Sequence, residues 1–272
     1  MLRRRRIDLV LAAALCFAAT AVAARAQELQ PHRAAYEVSL LENGKANPGT
    51  SGNYAFELKV TCEEYVINQR LRLEIDGGRN TMVSEQQSQM TESRDGRRLT
   101  FEHRSTANGR TSSLMKGEAT LDQDGRGEAR FGEPAGQSVA LPAGTMFPIA
   151  ISRATIRHAK AGDAGFDALF FFGEKVKPPQ AVNVVMGRVP KRLSELQIPA
   201  EARPLVEGRV RFYYRGGFFD ADAKAQGEQA AFEMSSLLLD NGVELYGTHE
   251  EHDSGIQYRI TRLEALPKPS CN

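Results

Sequence analysis

The chain has 272 residues, and its 35 lysines and arginines against 34 aspartates and glutamates give a formal net charge of +1. This balance gives no electrostatic reason to expect nucleic acid or an anionic membrane as a partner. Hydrophobic residues at 41% and charged residues at 25% are close to globular averages, which disfavours wholesale disorder, a collagen-like repeat and a polytopic membrane protein.

The first 26 residues have the pattern of a secretory signal. A run of four arginines precedes an apolar stretch, and Ala24-Arg25-Ala26 stands before Gln27. We therefore predict cleavage between Ala26 and Gln27, followed by a single mature domain over residues 27–272 with no stable membrane span. A retained anchor is the alternative, which is disfavoured because the alanine-rich stretch is short and weakly apolar.

Cleavage would change both the charge and the cysteine count. It removes five basic residues, one acidic residue and Cys16, so that the mature chain has 246 residues and a net charge of −3. Cys62 and Cys271 remain, and in an oxidising compartment two cysteines most simply form one disulfide. Two unpaired thiols are the alternative. A bond would hold the proline-rich C-terminal tail, which would otherwise fray.

Period-two alternation of apolar and polar residues predicts strands through most of the mature chain. The alternation is clearest over residues 36–40, 54–60, 67–75, 182–186, 210–214, 232–239, 243–247 and 256–263. Asn-Gly, Asp-Gly or Ser-Gly pairs, which favour two-residue hairpin turns, stand at positions 43–44, 76–77, 95–96, 108–109, 124–125, 241–242 and 254–255. The pattern predicts a mainly β fold built from antiparallel hairpins.

One segment departs from this pattern. Residues 149–161 carry apolar side chains near helical spacing and stop at Gly162, which predicts one short helix. Its basic residues lie toward the C-terminal end, where they suit the helix dipole and indicate a solvated face. Residues 174–180 and 190–204 are irregular, and they could be a domain boundary or long loops of one sheet. Strand patterns on both sides favour the single domain.

The best catalytic candidate is the segment 248–253, which holds two imidazoles and three carboxylates. His249 and His252 are three positions apart, whereas a zinc-protease helix places two histidines four apart. On a strand their side chains would point to opposite faces, so the spacing disfavours a metal-dependent hydrolase. No serine elbow or glycine-rich phosphate loop is present. The sequence therefore predicts no catalytic residue, no metal site and no cofactor.

Six blocks of the mature chain together carry a family resemblance. They are residues 32–40, Cys62 with 66–73, residues 92–96, residues 141–148, the turn at 241–243 and Cys271. In this order they resemble the conserved blocks of the EipB family of envelope-integrity proteins.

The resemblance implies a soluble periplasmic protein of Gram-negative bacteria that helps to maintain the cell envelope under stress. It also implies one long antiparallel sheet curled into an open β-spiral or partial barrel, similar to periplasmic lipoprotein carriers, with a disulfide between Cys62 and Cys271. No catalytic residue is attributed to the family. The chain departs from the pattern at Ile151, where the family tends to have histidine, and at residues 172–174, where a turn differs.

Two hypotheses without enzymatic activity follow, and a metal-dependent hydrolase that uses His249 and His252 is the third and least favoured. In the first, the concave face of the curled sheet binds an envelope component or a periplasmic or outer-membrane protein and so supports envelope integrity. In the second, the protein carries a lipid or a lipoprotein acyl chain, which requires an unfilled apolar cavity. Candidate lining residues, for all of which the pattern favours plain core over a cavity wall, are Phe56, Leu71, Leu73, Phe101, Phe171 and Phe232. The sequence does not identify the ligand.

Overall fold

The structure is a computed structural model that describes residues 28–47, 50–76, 78, 80–220, 227 and 229–271. The predicted signal over residues 1–26 and the predicted cleavage site between Ala26 and Gln27 lie outside the described residues. Within the described part of the chain, no helix combines the length and the apolar character needed to cross a membrane.

The described chain contains sixteen strands and a few helical segments. The strands are β1 (His32–Glu42), β2 (Lys45–Ala46), β3 (Thr50–Val60), β4 (Glu64–Asp76), β5 (Thr81–Ser93), β6 (Arg98–Ala107), β7 (Arg110–Leu121), β8 (Gly127–Glu133), β9 (Gln137–Leu141), β10 (Thr145–Met146), β11 (Gly165–Phe170), β12 (Gln180–Gly187), β13 (Arg211–Phe219), β14 (Phe232–Leu239), β15 (Glu244–Glu251) and β16 (Ser254–Ala265). The helices are α1 (Pro148–Ala161), α2 (Lys191–Ser194) and α3 (Arg203–Val206), with a 3₁₀ turn at Ala200–Ala202.

All the strands belong to one curled sheet. Fifteen of them follow in the order β10 to β16, then β1, then β3 to β9, while β2 pairs with β1. Every pairing is antiparallel except that of β10 with β11. The edge strands β9 and β10 are separated by only three residues of chain, so the sheet forms a nearly closed barrel with a seam. The predicted mainly β fold, a single antiparallel sheet curled into a partial barrel, is confirmed.

Helix α1 seals one end of this barrel. Ile149 and Ile156 are buried in one cluster with side chains from β3 to β9, among them Leu58 and Phe101. The face of the sheet that carries these side chains is called the inner face below. The helix was predicted over residues 149–161 and begins one residue earlier; it ends at Gly162, whose φ of 78° is the left-handed conformation of a helix stop.

A buried carboxylate fastens the start of α1 to the sheet. The residue before the helix, Phe147, offers no side-chain cap. Instead Glu92 of β5, with no exposed surface, accepts the backbone N–H groups of Ile149 at 2.7 Å and Ala150 at 2.9 Å. Burial raises the pKa of Glu92 to about 7, while these two hydrogen bonds and the nearby Arg153 lower it. The helix N-terminus thereby holds an acid in the core, because its N–H groups and dipole favour a negative group.

The irregular stretch between β12 and β13 covers the outside of the sheet. Leu193, Ala202 and Val206 from its short helices are buried in one cluster with Leu237 and Leu239 of β14. Because Leu238 between them packs in the inner cluster with α1, these two leucines face outward. Strand β14 is therefore buried on both faces from Ser235 to Leu239, which explains its apolar run of three leucines.

Most of the predicted hairpin turns are present, but the one at Ser254-Gly255 was wrong. Those residues begin β16, where they pair with Glu251 and Glu250 of β15. The turn lies just before them, and His252 adopts the positive φ, 51°, that the hairpin requires. Gly255 is instead required by close packing, since a Cβ atom there would meet the backbone of β15.

Candidate functional site

The two cysteines within the described residues are joined in the structure. Cys62, in the turn between β3 and β4, forms a disulfide with Cys271, 209 positions later, with the Cα atoms 5.6 Å apart. Cys271 stands at the end of the proline-rich tail that follows β16. The bond therefore links the chain's C-terminal tail to the turn after the second long strand.

The histidines of the 248–253 segment are not assembled into a metal site. His249 lies on the inner face of β15 and stacks on the ring of Phe232, with centroids 4.5 Å apart. His252 lies beyond the strand, in the turn. Throughout the described ranges, no group of three or more His, Cys, Asp or Glu side chains is placed so that it could hold a metal ion.

The six candidate lining residues divide into two groups. Phe101 and Phe171 are buried core residues whose ring centroids lie 6.0 Å apart, so they line no open space. Phe56, Leu71 and Leu73 are only half-buried, although cross-strand pairing places them on the inner face. Phe232 is also half-buried, and it stacks between Phe218 and His249.

A carboxyl group inside the barrel, Glu244, was not recognised from the sequence. It stands at the start of β15, opposite Leu238 of β14. Around it lie inner-face tyrosines from four strands: Tyr36, Tyr54, Tyr214 and Tyr258. The hydroxyl of Tyr258 donates to the Glu244 carboxylate at 3.2 Å. The hydroxyl of Tyr36 donates to the backbone carbonyl of the same residue at 3.0 Å.

The tyrosine rings hold one another in place. The ring centroids of Tyr36, Tyr54 and Tyr258 lie 5.2 to 5.6 Å apart in one stacked and two edge-on pairs. Such contacts add to the hydrophobic burial of each ring. The glutamate is thus surrounded by a rigid aromatic group drawn from strands that are distant in sequence; we name Glu244 and the four tyrosines the tyrosine cluster.

The electrostatics of the cluster favour neutral groups. Burial raises the pKa of Glu244 to about 7, whereas the neighbouring Ser236 hydroxyl and the hydrogen bond from Tyr258 lower it. Burial likewise raises the pKa values of Tyr36 and Tyr258 well above their ordinary range. The fully buried hydroxyl of Ser236 faces the carboxyl group without making a hydrogen bond of ordinary geometry.

Part of the cluster is open to the barrel interior. Tyr36 and Tyr258 are buried, but the side chains of Tyr54, Tyr214 and Glu244 are only half-buried. Further along the inner face, Gln86 of β5, paired with Leu71, is exposed. The inner face is therefore open to solvent at Gln86, and Tyr54, Tyr214 and Glu244 keep part of their surface accessible. On the outer face, by contrast, two small cavities of about 190 and 290 Å³ flank α2 and α3.

Gly247 allows Tyr258 to reach the carboxyl group, and we expect its replacement to disrupt the cluster. The two residues are directly paired, and a Cβ atom at position 247 would collide with the phenol ring of Tyr258. Because Tyr36 and Tyr54 enclose that ring, Gly247→Ala should destabilise the protein by roughly 1–3 kcal/mol. Gly132→Ala, in a strand where the added Cβ has space, is the control. Equal unfolding midpoints in urea for both variants would contradict this packing.

The fold and the site together define a class: a barrel-like protein of one curled, almost entirely antiparallel sheet, with a helix packed into its core, a disulfide and a half-buried acid on its inner face. The model of the EipB-like family matches residues 23–267, and the chain belongs to this family. The predicted resemblance is thereby confirmed.

Two similar proteins come from Brucella abortus. The chain is 29% identical over 177 residues to the cell envelope integrity protein EipB of strain 2308; the match covers 63% of this chain and 62% of that protein, less than two thirds of its length. It is also similar to the crystal structure of a beta-barrel-like protein of a domain of unknown function, with a TM-score of 0.76 and 21% identity over 89% of this chain and 100% of the other. The second likeness supports the fold.

Proposed function

We propose that this chain is a non-enzymatic periplasmic protein that supports the integrity of the cell envelope by binding an envelope component or a protein partner. The observation that carries the proposal is membership of the EipB-like family, in which a relative is named a cell envelope integrity protein. The signal pattern before Gln27 and the disulfide support export of a single domain over residues 27–272, because disulfides persist in oxidising compartments.

A carrier of lipid or lipoprotein acyl chains is the second candidate. The carrier function is favoured by Phe56, Leu71 and Leu73, which are only half-buried on the inner face and are not fully covered by other side chains. An apolar wall that stays accessible inside a barrel can shelter an apolar ligand. A metal-dependent hydrolase finds no support in the placement of His249 and His252.

The proposed role predicts an envelope defect on loss of the gene. Cells lacking the protein should become sensitive to detergent and to cell-wall antibiotics, and the full chain should restore resistance. A chain without residues 1–26 should fail to do so, because it would not be exported. Normal resistance of the deletion strain under each of these stresses would overturn the proposal.

The binding partner can be separated into inner-face and outer-face classes by photo-crosslinking in intact cells. Gln86 and Gln87 of β5 are both exposed, but they point to opposite faces of the same strand. A photoreactive residue at position 86 should capture an occupant of the barrel, and one at position 87 should not. Lipid captured at position 86 favours the carrier, and protein captured only at position 87 favours an outer binding surface.

A further inference from the structure

Glu244 is an inner-face acid without a cationic partner. By contrast, Glu92 on the same face is held by the N-terminus of α1, and Glu57 and Glu85 on the outer face pair with Arg33 and Arg70. In the parts of the chain that the structure describes, no lysine, arginine or histidine interacts with Glu244. Buried carboxylates in proteins are normally paired, because removing a charge from water is costly.

We propose that the tyrosine cluster is a binding site for the ammonium group of an amphiphile, with Glu244 as its counter-ion. Tyr54 and Tyr214 are half-buried beside Glu244, and aromatic rings attract cations. The Ser236 hydroxyl, fully buried beside the carboxyl group, favours the charged form of Glu244 that an ammonium group would meet. The carboxylate beside these rings attracts a positive head group and repels an anion.

The surroundings also specify an apolar tail. Leu71 pairs with Tyr54 across β3 and β4, and Leu73 follows on the same face. Both are half-buried, and the neighbouring Phe56 is as well. An acyl or alkyl chain lying along this wall toward Gln86 would bury apolar surface that the protein leaves accessible. The ligand class is therefore a single-chain amphiphile with an ammonium head.

The biological role of this site rests on the proposed function, but ligand binding can be tested on the purified protein. Binding of dodecylammonium below its micellar concentration should be measured by calorimetry at about pH 8, with dodecyl maltoside and dodecanoate as probes of the same tail. We expect dodecylammonium to bind more tightly than either. Glu244→Gln, which keeps the shape and removes the charge, should weaken it roughly tenfold and leave the maltoside unchanged.

Two controls make the test specific. Glu37→Gln removes an exposed carboxylate from the outer face of β1 and should leave every affinity unchanged. Lowering the pH to about 5 should weaken dodecylammonium binding in the native protein but not in Glu244→Gln, since the other titratable groups that face Glu244 are tyrosines, which stay neutral. Tyr214→Phe should retain most of the affinity, because the ring remains.

Equal affinity of Glu244→Gln and the native protein for dodecylammonium would overturn the inference, as would tighter binding of dodecanoate. Absence of binding by any of the three probes would also overturn it. In each of these cases the proposed function would stand if the exported chain still restored envelope resistance to the deletion strain. If the purified protein bound dodecylammonium as expected but the exported chain failed to restore envelope resistance, the proposed function would be overturned and the binding site would stand.

Discussion

Cys62→Ser and Cys271→Ser should each lower the thermal stability of the mature protein substantially. The disulfide closes a loop of 209 positions, and the chain-entropy model gives about 5 kcal/mol for a loop of this length, as an upper value. At this chain size a loss of that order lowers the melting temperature by roughly 10–20 °C. The tail from Leu266 onward should also become susceptible to protease, because little else holds it.

The double variant should be no less stable than either single variant, since one bond is lost in all three cases. Ser270→Ala, beside the bonded cysteine, is a control that should leave the melting temperature unchanged. The native protein in excess reductant should unfold at the temperature of the variants. Losses that add in the double variant would show that the two cysteines act independently.

The course of the sheet could be predicted because its signals are local. Alternation along a segment such as residues 54–60 reveals which side chains share a face, and Asn108-Gly109 marks a turn wherever it occurs. The failure at Ser254-Gly255 has a local cause as well. A glycine can be required where two strands approach closely, and the Ser-Gly dipeptide alone does not distinguish that role from a turn.

The two inner-face acids, Glu92 and Glu244, could not be predicted in this way. Glu92 meets the helix start 57 positions later, and Tyr36 reaches Glu244 across 208 positions. In the sequence Glu92 was one residue of a block typical of the family, and Glu244 stood among apolar residues of a predicted strand. A charged residue at an inward position of a strand indicates a possible site. Its partners can be identified only from the register of strands that are distant in sequence and meet in the complete fold.

Glu244→Gln should be more stable than the native protein near pH 8 and equally stable near pH 4.5. The pKa of Glu244 is raised to about 7 in the folded state, from an ordinary value of 4.5. Between these two values the unfolded chain releases its proton and the folded chain retains it, so stability falls as the pH rises through this window. A shift of this size corresponds to roughly 3 kcal/mol, an upper value because the side chain is partly accessible.

The comparison has to be made as a difference between the two proteins, because other groups titrate in the same range. Burial lowers the pKa of His32 to about 4, which makes the native protein less stable as the pH falls below 6.5 and so opposes the effect of Glu244. His32 is present in both proteins and cancels in the difference. Urea unfolding at half-unit steps of pH should give two curves that converge toward pH 4.5. A constant offset between the two curves would show that Glu244 does not take up a proton on folding. Convergence would show that the ionised Glu244 lowers the stability of the protein at high pH. A residue that costs stability in this way is expected where it is kept to bind a ligand.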